Sequence, residues 1–415
     1  MKILIFGNHT CSNRGDAAIA RGTIEVIAQN YPNADIKLMS RFPNSGDILC
    51  RWDVVQDPFH TYYSKNRSPI FNKIHKKIMS RYGYWYANKI RNKFGFKWLP
   101  DIEPYQQFKA IIDEYDVFIQ VGGSFFVDLY GPSQFDAALC LISRGKKFHL
   151  VGHSLGPFDN SDYQDLSRFV FSKTTSIYVR ESKSMEEVAQ FSLPEKTFKE
   201  CMDCAFAVNP KVQEQLRNRA FFEKLKQDRP LIAITMRNLS PFNSRLGITQ
   251  REYEKQFIQT CQYLLDKGYA VVGLSTCTAI SGYHKDDRIV IHNIHKELNF
   301  DPNFITVLDE LNDIEFGELA SMCELMIGTR LHSTIIAMTF GIPAIAVYYE
   351  HKSAGIFDDI GISELSVKIQ EMNSPEYFKN IDNLLQSGSY RTTTLQKISR
   401  YIAQGKRELL EYLQF

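Results

Sequence analysis

The chain has 415 residues, 44% of them hydrophobic and 23% charged, and its formal net charge is +2. That length and apolar content give two or three well-cored domains and exclude a disordered chain. A net charge so near zero excludes binding to nucleic acid through overall charge, though not binding through a local concentration of one sign.

In chain order, Met1-Lys-Ile-Leu-Ile-Phe6 opens a strand over 2–6 and stops at Gly7. It is too short for a signal-peptide core and lacks a small-residue cleavage site, and no later run reaches the length of a membrane-spanning helix. The expectation is a cytoplasmic protein, and the eight scattered cysteines suit reduced thiols better than a disulfide framework. Asn8-His-Thr-Cys-Ser-Asn-Arg-Gly-Asp16 then joins the strand to a helix over 16–29. Gly7 and Gly15 stand too far apart for a dinucleotide fingerprint, and no acid stands where a ribose would need one. Asp16 is expected to cap the helix, with Asn13 and Arg14 displayed toward a cleft.

Residues 60–100 carry ten Lys or Arg and no Asp or Glu. Ile70, Ile74, Ile78, Tyr82, Tyr86, Ile90 and Phe94 recur near every fourth position, which describes a basic amphipathic helix. Two readings are open. Such a helix binds an anionic membrane surface, or it packs on the first domain and leaves a solvated basic face.

Strands follow at 117–121, 148–152 and 176–179. Gly122 and Gly123 after the first of these allow close backbone approach by a ligand. Gly152-His-Ser-Leu-Gly156 matches the G-x-S-x-G elbow of serine hydrolases, but Pro157 and Phe158 stand where the elbow's helix must begin. His153 and Ser154 are therefore read as cleft-lining acceptor contacts. Arg180 ends its strand as an anion contact or as an interdomain salt bridge, and Asp203 reads equally as a ligand contact or a turn residue. Cys201-Met-Asp-Cys204 has no second pair, so no metal or redox role is expected.

Asn209-Pro210 stops this block, and the domain boundary is expected within 209–230. The second block has strands at 231–236, 270–275, 304–308, 324–327 and 343–348, with helices at 250–267, 313–322 and 333–340. Strands alternating with helices imply parallel sheets covered on both faces. The expected fold class is α/β, with two doubly wound, Rossmann-like domains facing a cleft over 1–209 and 210–390. A last helix in 391–415, striped with Leu395, Ile398, Ile402, Leu409 and Leu413, is expected to brace the first domain.

Gly328-Thr-Arg-Leu-His-Ser333 is the strand-to-helix turn at which such sheets bind ligands. The helix start attracts anions, and Arg330 offers a bidentate fork for carboxylate or phosphate. His332 beside a bound dianion gains charge when the ligand arrives, which suits a general acid. Arg237, directly after the first strand of the block, faces the same crevice. Lys352 adds a phosphate contact, and Glu350 either orients an acceptor hydroxyl or pairs with Lys352. The other reading of the turn is an arginine capping carbonyls and a histidine filling the core.

With these residues in view, the chain resembles the polysaccharide pyruvyl transferase family, most of all its colanic acid branch. The resemblance rests on Gly7-Asn-His-Thr-Cys11 with Asn13-Arg-Gly-Asp16, on Gln120-Val-Gly-Gly-Ser-Phe-Phe-Val-Asp-Leu-Tyr-Gly131, and on Gly152-His-Ser-Leu-Gly-Pro-Phe158. It rests also on Gly328-Thr-Arg-Leu-His-Ser333 and Tyr349-Glu-His-Lys-Ser-Ala-Gly355. It implies a fold like the GT-B glycosyltransferases, phosphoenolpyruvate as co-substrate and a pyruvate ketal formed on a sugar such as galactose, with no further cofactor and no metal. It places the donor on Arg330, Leu331, Ser333, Arg237 and Lys352, and the acid/base role on His332. The acceptor side falls on Asn8, His9, Asn13, Arg14, Asp16, Gly122, Gly123, His153, Ser154, Arg180 and Glu350. The expected partner is a lipid-linked oligosaccharide met at the inner membrane surface, with 60–100 as the contact. Two other readings remain: a nucleotide-sugar glycosyltransferase on the same architecture, and a carbohydrate-binding protein without catalysis.

Overall fold

The computed structural model describes residues 1–65, 69–193, 198–212, 216–240, 247–280, 282–348 and 351–415, without the side chains of 69–72 and 351–353. The chain forms two compact units. The first holds Met1–His9, Ile27–Asp47 and Trp52–Asp203, and the second holds Thr10–Val26, Ile48–Arg51 and Cys204–Phe415.

The first unit is built on strands β1 (Lys2–Thr10), β2 (Asp35–Phe42), β3 (Val54–Gln56), β4 (Val117–Val121), β5 (Phe148–His153), β6 (Ser176–Val179) and β7 (Phe198–Glu200). They form one sheet in the order β3-β2-β1-β4-β5-β6-β7. Ile3, Leu4, Ile5, Phe118 and Ile119 are fully buried, as continuous apolar runs in a sheet covered on both faces must be. An aromatic core including Phe59, Tyr82, Tyr86, Tyr105, Phe108 and Phe135 packs against it.

The second unit carries β8 (Leu231–Thr235), β9 (Ala270–Leu274), β10 (Phe304–Thr306), β11 (Leu325–Gly328), β12 (Ala344–Tyr348) and β13 (Ser366–Lys368). Its order is β10-β9-β8-β11-β12-β13, and every neighbouring pair is parallel. In both sheets the order reverses beside the first strand, between β1 and β4 and between β8 and β11. Ligands bind at the carboxyl ends of the strands flanking such a reversal.

This partition differs from the expected one at 10–26, at 48–51, at the boundary, which falls after Asp203, and at the last helix. Residues 10–26, most of the first helix (Arg14–Asn30), go with the second unit. Gly22 explains part of this, since a Cβ there would lie 1.8 Å from the Cys204 carbonyl oxygen. Arg21 adds a bidentate pair to Asp313, Nε–Oδ2 2.6 Å and Nη2–Oδ1 2.9 Å. The last helix (Gly388–Tyr412) also sits in the second unit, with Ile398 and Leu409 buried. It packs on the Pro375–Gln386 helix and on the Cys204–Ala207 turn, where the Tyr401 ring meets Phe206 at 5.5 Å.

The basic segment divides along its length. In the Pro69–Ile90 helix, Tyr82 and Tyr86 point into the core while Ile74 and Ile78 remain exposed. Four of its cations are paired: Lys65 with Glu103, Arg81 with Asp162, Lys89 with Asp101 and Arg91 with Asp165. Lys73, Lys76, Lys77, Lys93 and Lys97 are exposed. So are Phe94 at 99% and Trp98 at 92%, a level at which an aromatic ring gains nothing from the fold. Arg67 and the Ile70 side chain lie outside the described residues.

Candidate active site

The β8–β11 reversal is pinned by small side chains. Thr235 at the end of β8 and Ser333 share a 2.6 Å hydrogen bond, and the Ser333 hydroxyl donates to the Arg330 carbonyl at 2.7 Å. Gly328 makes this packing possible, because a Cβ there would fall 2.3 Å from the Ser333 Oγ. Ser333 is fully buried and engaged, so it shapes the turn and does not reach a ligand as expected. Tyr253 ties the two strand ends together, its hydroxyl bonding Thr329 at 2.8 Å and accepting from the Arg237 N–H at 3.2 Å. Thr235 and Gly328 are register partners, and each is followed two residues on by an arginine. Arg237 and Arg330 therefore leave the sheet side by side. Arg237 is half-buried, and its Nε donates to the Asn238 carbonyl at 3.2 Å.

Arg330 caps the Leu331–Thr339 helix in extended conformation, and its guanidinium is held by Asp287. Nε lies 2.7 Å from Oδ2 and Nη2 donates to Oδ1 at 2.8 Å. Asp287 is buried and also accepts from the Cys277 N–H at 3.0 Å and the Thr276 hydroxyl at 3.2 Å. Burial alone would drive the proton off Arg330, and the Asp287 carboxylate more than reverses this. The hydrogen bond runs through Nη2, Nε stands at ion-pair distance without bonding, and the side chain keeps 13% of its surface exposed. The sequence reading missed Asp287. Its one signal was an acid directly before the Arg288–Glu297 helix, a place where capping acids are common. The neighbouring Cys277 thiol is pushed up to about 12, mainly by burial, so it is not a nucleophile at neutral pH.

His332 is partly exposed and lies over Gly15. A Cβ on Gly15 would come 2.5 Å from His332 Cγ and 2.6 Å from its Nδ1. The start of the first helix is thus one wall of the histidine's seat. Asn13 caps that helix by accepting from the Gly15 N–H at 3.1 Å, so the cap is Asn13 and not Asp16, which sits half-buried in the first turn. Arg14 is fully buried. Its guanidinium donates to the Ser12 carbonyl at 2.8 Å and the Thr278 hydroxyl at 2.9 Å and pairs with Glu310 at 3.3 Å. Expected on display, it instead fastens the 10–14 turn to the 276–278 loop, joined by the Arg14 N–H to the Thr276 carbonyl at 2.8 Å. Leu331 is half-buried at the helix start. Glu350 and the Lys352 side chain lie outside the described residues.

The acceptor residues expected in the first unit turn inward. His153 is fully buried against the Gln120 carbonyl at 3.2 Å, and burial lowers its pKa to about 3. Ser154 donates to Glu181 at 2.8 Å and accepts from Arg180 Nε at 2.8 Å. It is fully buried, and the next helix begins only at Ser161, so the hydrolase elbow is absent here. Arg180 pairs with Asp203 at 2.7 Å and donates to Ser124 at 3.2 Å. Ser154, Glu181, Arg180 and Asp203 satisfy one another because burying any of them alone would be costly. Gly122 meets the Gly152 carbonyl, 2.0 Å from where a Cβ would stand, so it serves strand packing, and Gly123 is buried beside it. Asn8 is buried. His9, edge-on to Phe42 at 5.4 Å, has its pKa lowered to about 3 by burial and then by Arg41 and His60.

Two parallel sheets, each with a reversal of strand order, give an α/β architecture seen in solved epimerases and glycosyltransferases. Comparable solved structures are a UDP-GlcNAc 2-epimerase from Neisseria meningitidis and a glycosyltransferase from Rickettsia africae. The first has TM-score 0.58 and 11% identity over 100% of this chain and 99% of that one. The second has TM-score 0.59 and 12% identity over 99% and 96%. The family pattern of the polysaccharide pyruvyl transferases matches residues 13–351. The amylovoran biosynthesis protein AmsJ of Erwinia amylovora is 39% identical over 388 residues, 93% of this chain and 92% of AmsJ. The chain belongs to the polysaccharide pyruvyl transferase family.

Proposed function

We propose that the protein moves the enolpyruvyl group of phosphoenolpyruvate onto a sugar of an exopolysaccharide repeat unit, forming a cyclic pyruvate ketal and releasing phosphate. The reading rests on one juxtaposition within the second unit: Arg330, held by Asp287, beside Arg237 and next to His332. Two guanidinium groups match a carboxylate plus a phosphate, and a half-buried imidazole at the same turn is an acid within reach.

His332 gives its proton to the methylene carbon, which becomes a methyl group and leaves an oxocarbenium-like centre at C2. A sugar hydroxyl adds there and its proton returns to the imidazole. The C2–O bond to phosphate then breaks, and a second hydroxyl closes the ring as its proton passes to the departing phosphate. Arg330 and Arg237 stabilise the phosphate as its charge grows. The proposed sequence draws on no metal and no organic cofactor. A galactose acceptor of the colanic acid type, carried on a lipid diphosphate, fits the family and the amylovoran pathway named in the AmsJ relative. The exposed Phe94, Trp98 and neighbouring lysines fit a contact with the anionic inner leaflet.

The test is phosphate release from phosphoenolpyruvate over a panel of lipid-linked acceptors, with thermal shift alongside. A ligand at about a hundred times its Kd adds roughly 2.7 kcal/mol of apparent stability. Phosphoenolpyruvate is expected to raise Tm and nucleotide sugars to leave it unchanged. The reverse pattern replaces this reading with a glycosyltransferase, and no shift from either favours a protein that only binds carbohydrate.

A further inference from the structure

The first unit has its own strand-order reversal, between β1 and β4, and a cavity of about 190 Å³ lies at the carboxyl ends of β1, β2 and β4. Its lining includes the apolar Phe6, Met39, Phe59 and Phe108 and the polar Arg41, Asp57, Gln120 and Gln134. Its volume is below the ~300–1,000 Å³ of sites for drug-sized ligands, so it suits a single ring. The Gln120 side chain, only 5% exposed, ends in an Oε1 with no hydrogen-bond partner among the described residues. Leaving a buried acceptor unmade costs free energy, and such groups call for an explanation. Gly7 at φ +87 makes room for this glutamine, since a Cβ there would come 2.9 Å from Gln120 Cγ.

The charge around the cavity is balanced. Arg41 lies 3.8 Å from Asp57 and donates to Gln134 Oε1 at 3.1 Å. Asp57 Oδ1 is committed to the Phe59 N–H at 2.8 Å and the His60 N–H at 3.3 Å. Burial, then Arg41, lowers the His60 pKa, which keeps that ring neutral. Among the described residues that line it no surplus positive charge faces the cavity, so a phosphate is a poor match. A neutral polyol with one apolar face is a good one, its C–H groups against Phe59 and its hydroxyls meeting the Gln120 acceptor and the Gln134 amide.

We infer that the β1–β4 cavity binds one neutral pyranose ring of the acceptor saccharide. The inference deepens the function proposed above, and the experiment separates the two. Saturation-transfer NMR is run on the full chain with methyl β-D-galactopyranoside, methyl α-D-glucopyranoside and uridine, in the absence of phosphoenolpyruvate. Transfer to at least one methyl glycoside is expected. It should be lost in Ala137→Phe, which fills the cavity, weakened in Gln134→Ala and kept in His332→Ala. Equal transfer in a folded Ala137→Phe overturns the inference, as does transfer to uridine only or to none of the three. If Ala137→Phe does not fold, Gln134→Ala decides. Should the glycosides bind as expected while phosphoenolpyruvate gives no thermal shift, the cavity assignment stands and the donor assignment falls.

Discussion

Asp287→Asn removes the charge that holds Arg330 while changing almost nothing in shape. The carboxylate makes two contacts with the guanidinium, at 2.7 and 2.8 Å, and one with the Cys277 N–H at 3.0 Å. An asparagine with its oxygen at the Oδ2 place keeps the Nε and Cys277 N–H contacts, but its amide N–H2 then faces the donor-only Nη2. Removing one member of a buried ion pair costs about 3–5 kcal/mol. The Arg330 side chain retains 13% exposure, which admits some water, so about 3 kcal/mol is the better figure. For a unit of this size that lowers Tm by about 6–12 °C. Arg330→Met removes the orphaned charge, so the double variant should recover much of the loss, with a coupling of about 2 kcal/mol. Differential scanning calorimetry of the four proteins measures this, and thermal shift with phosphoenolpyruvate shows whether the loosened fork still grips a donor. A Tm within about 1 °C of wild type for Asp287→Asn, or strict additivity in the cycle, would refute the view that Asp287 holds Arg330 in place.

Three other outcomes are expected. Gly15→Ala puts a methyl group 2.5 Å from His332 Cγ and displaces the ring. Phosphate release should fall by about a hundredfold, as for a lost acid/base, with phosphoenolpyruvate-induced stabilisation retained; normal turnover would take His332 out of the chemistry. Phe94→Ser combined with Trp98→Ser should cut co-sedimentation with anionic phospholipid vesicles at unchanged Tm, and equal sedimentation would leave the patch without a membrane role. His153 is held neutral, with its pKa lowered from 6.5 to about 3. Between those values the unfolded chain takes up a proton that the folded one refuses, so stability falls on acidification, by about 1.4 kcal/mol per pH unit from this group. Urea unfolding of His153→Leu should show a correspondingly shallower slope, and an unchanged slope would mean the ring charges in the folded state.

The amino-acid sequence determined the alternation of elements and singled out the candidate turn at Gly328–Ser333. Runs such as Leu231–Thr235 and Leu325–Gly328 are almost wholly apolar and buried throughout, because both faces of a parallel sheet are covered, and that signal is local. The turn from Gly328 to Ser333 was legible for the same reason: a glycine, a cation and an imidazole between a strand and a helix have few uses. β2 and β13 were missed because their patterns mix exposed and half-buried positions at or near sheet edges, where apolar periodicity fades. Only the tertiary structure decided which polar side chains are enclosed and which keep some exposure. Arg14, Ser154 and Arg180 look like Arg330 in sequence, each a polar residue just after a strand. What separates them is whether carboxylates and hydroxyls distant in the chain close around the whole group or leave part of it exposed. Asp287 and Gly15 belong to the candidate site through contacts 43 and 317 positions from the residues they position. Desolvation and ion pairing are properties of the assembled environment, and no local spacing encodes them.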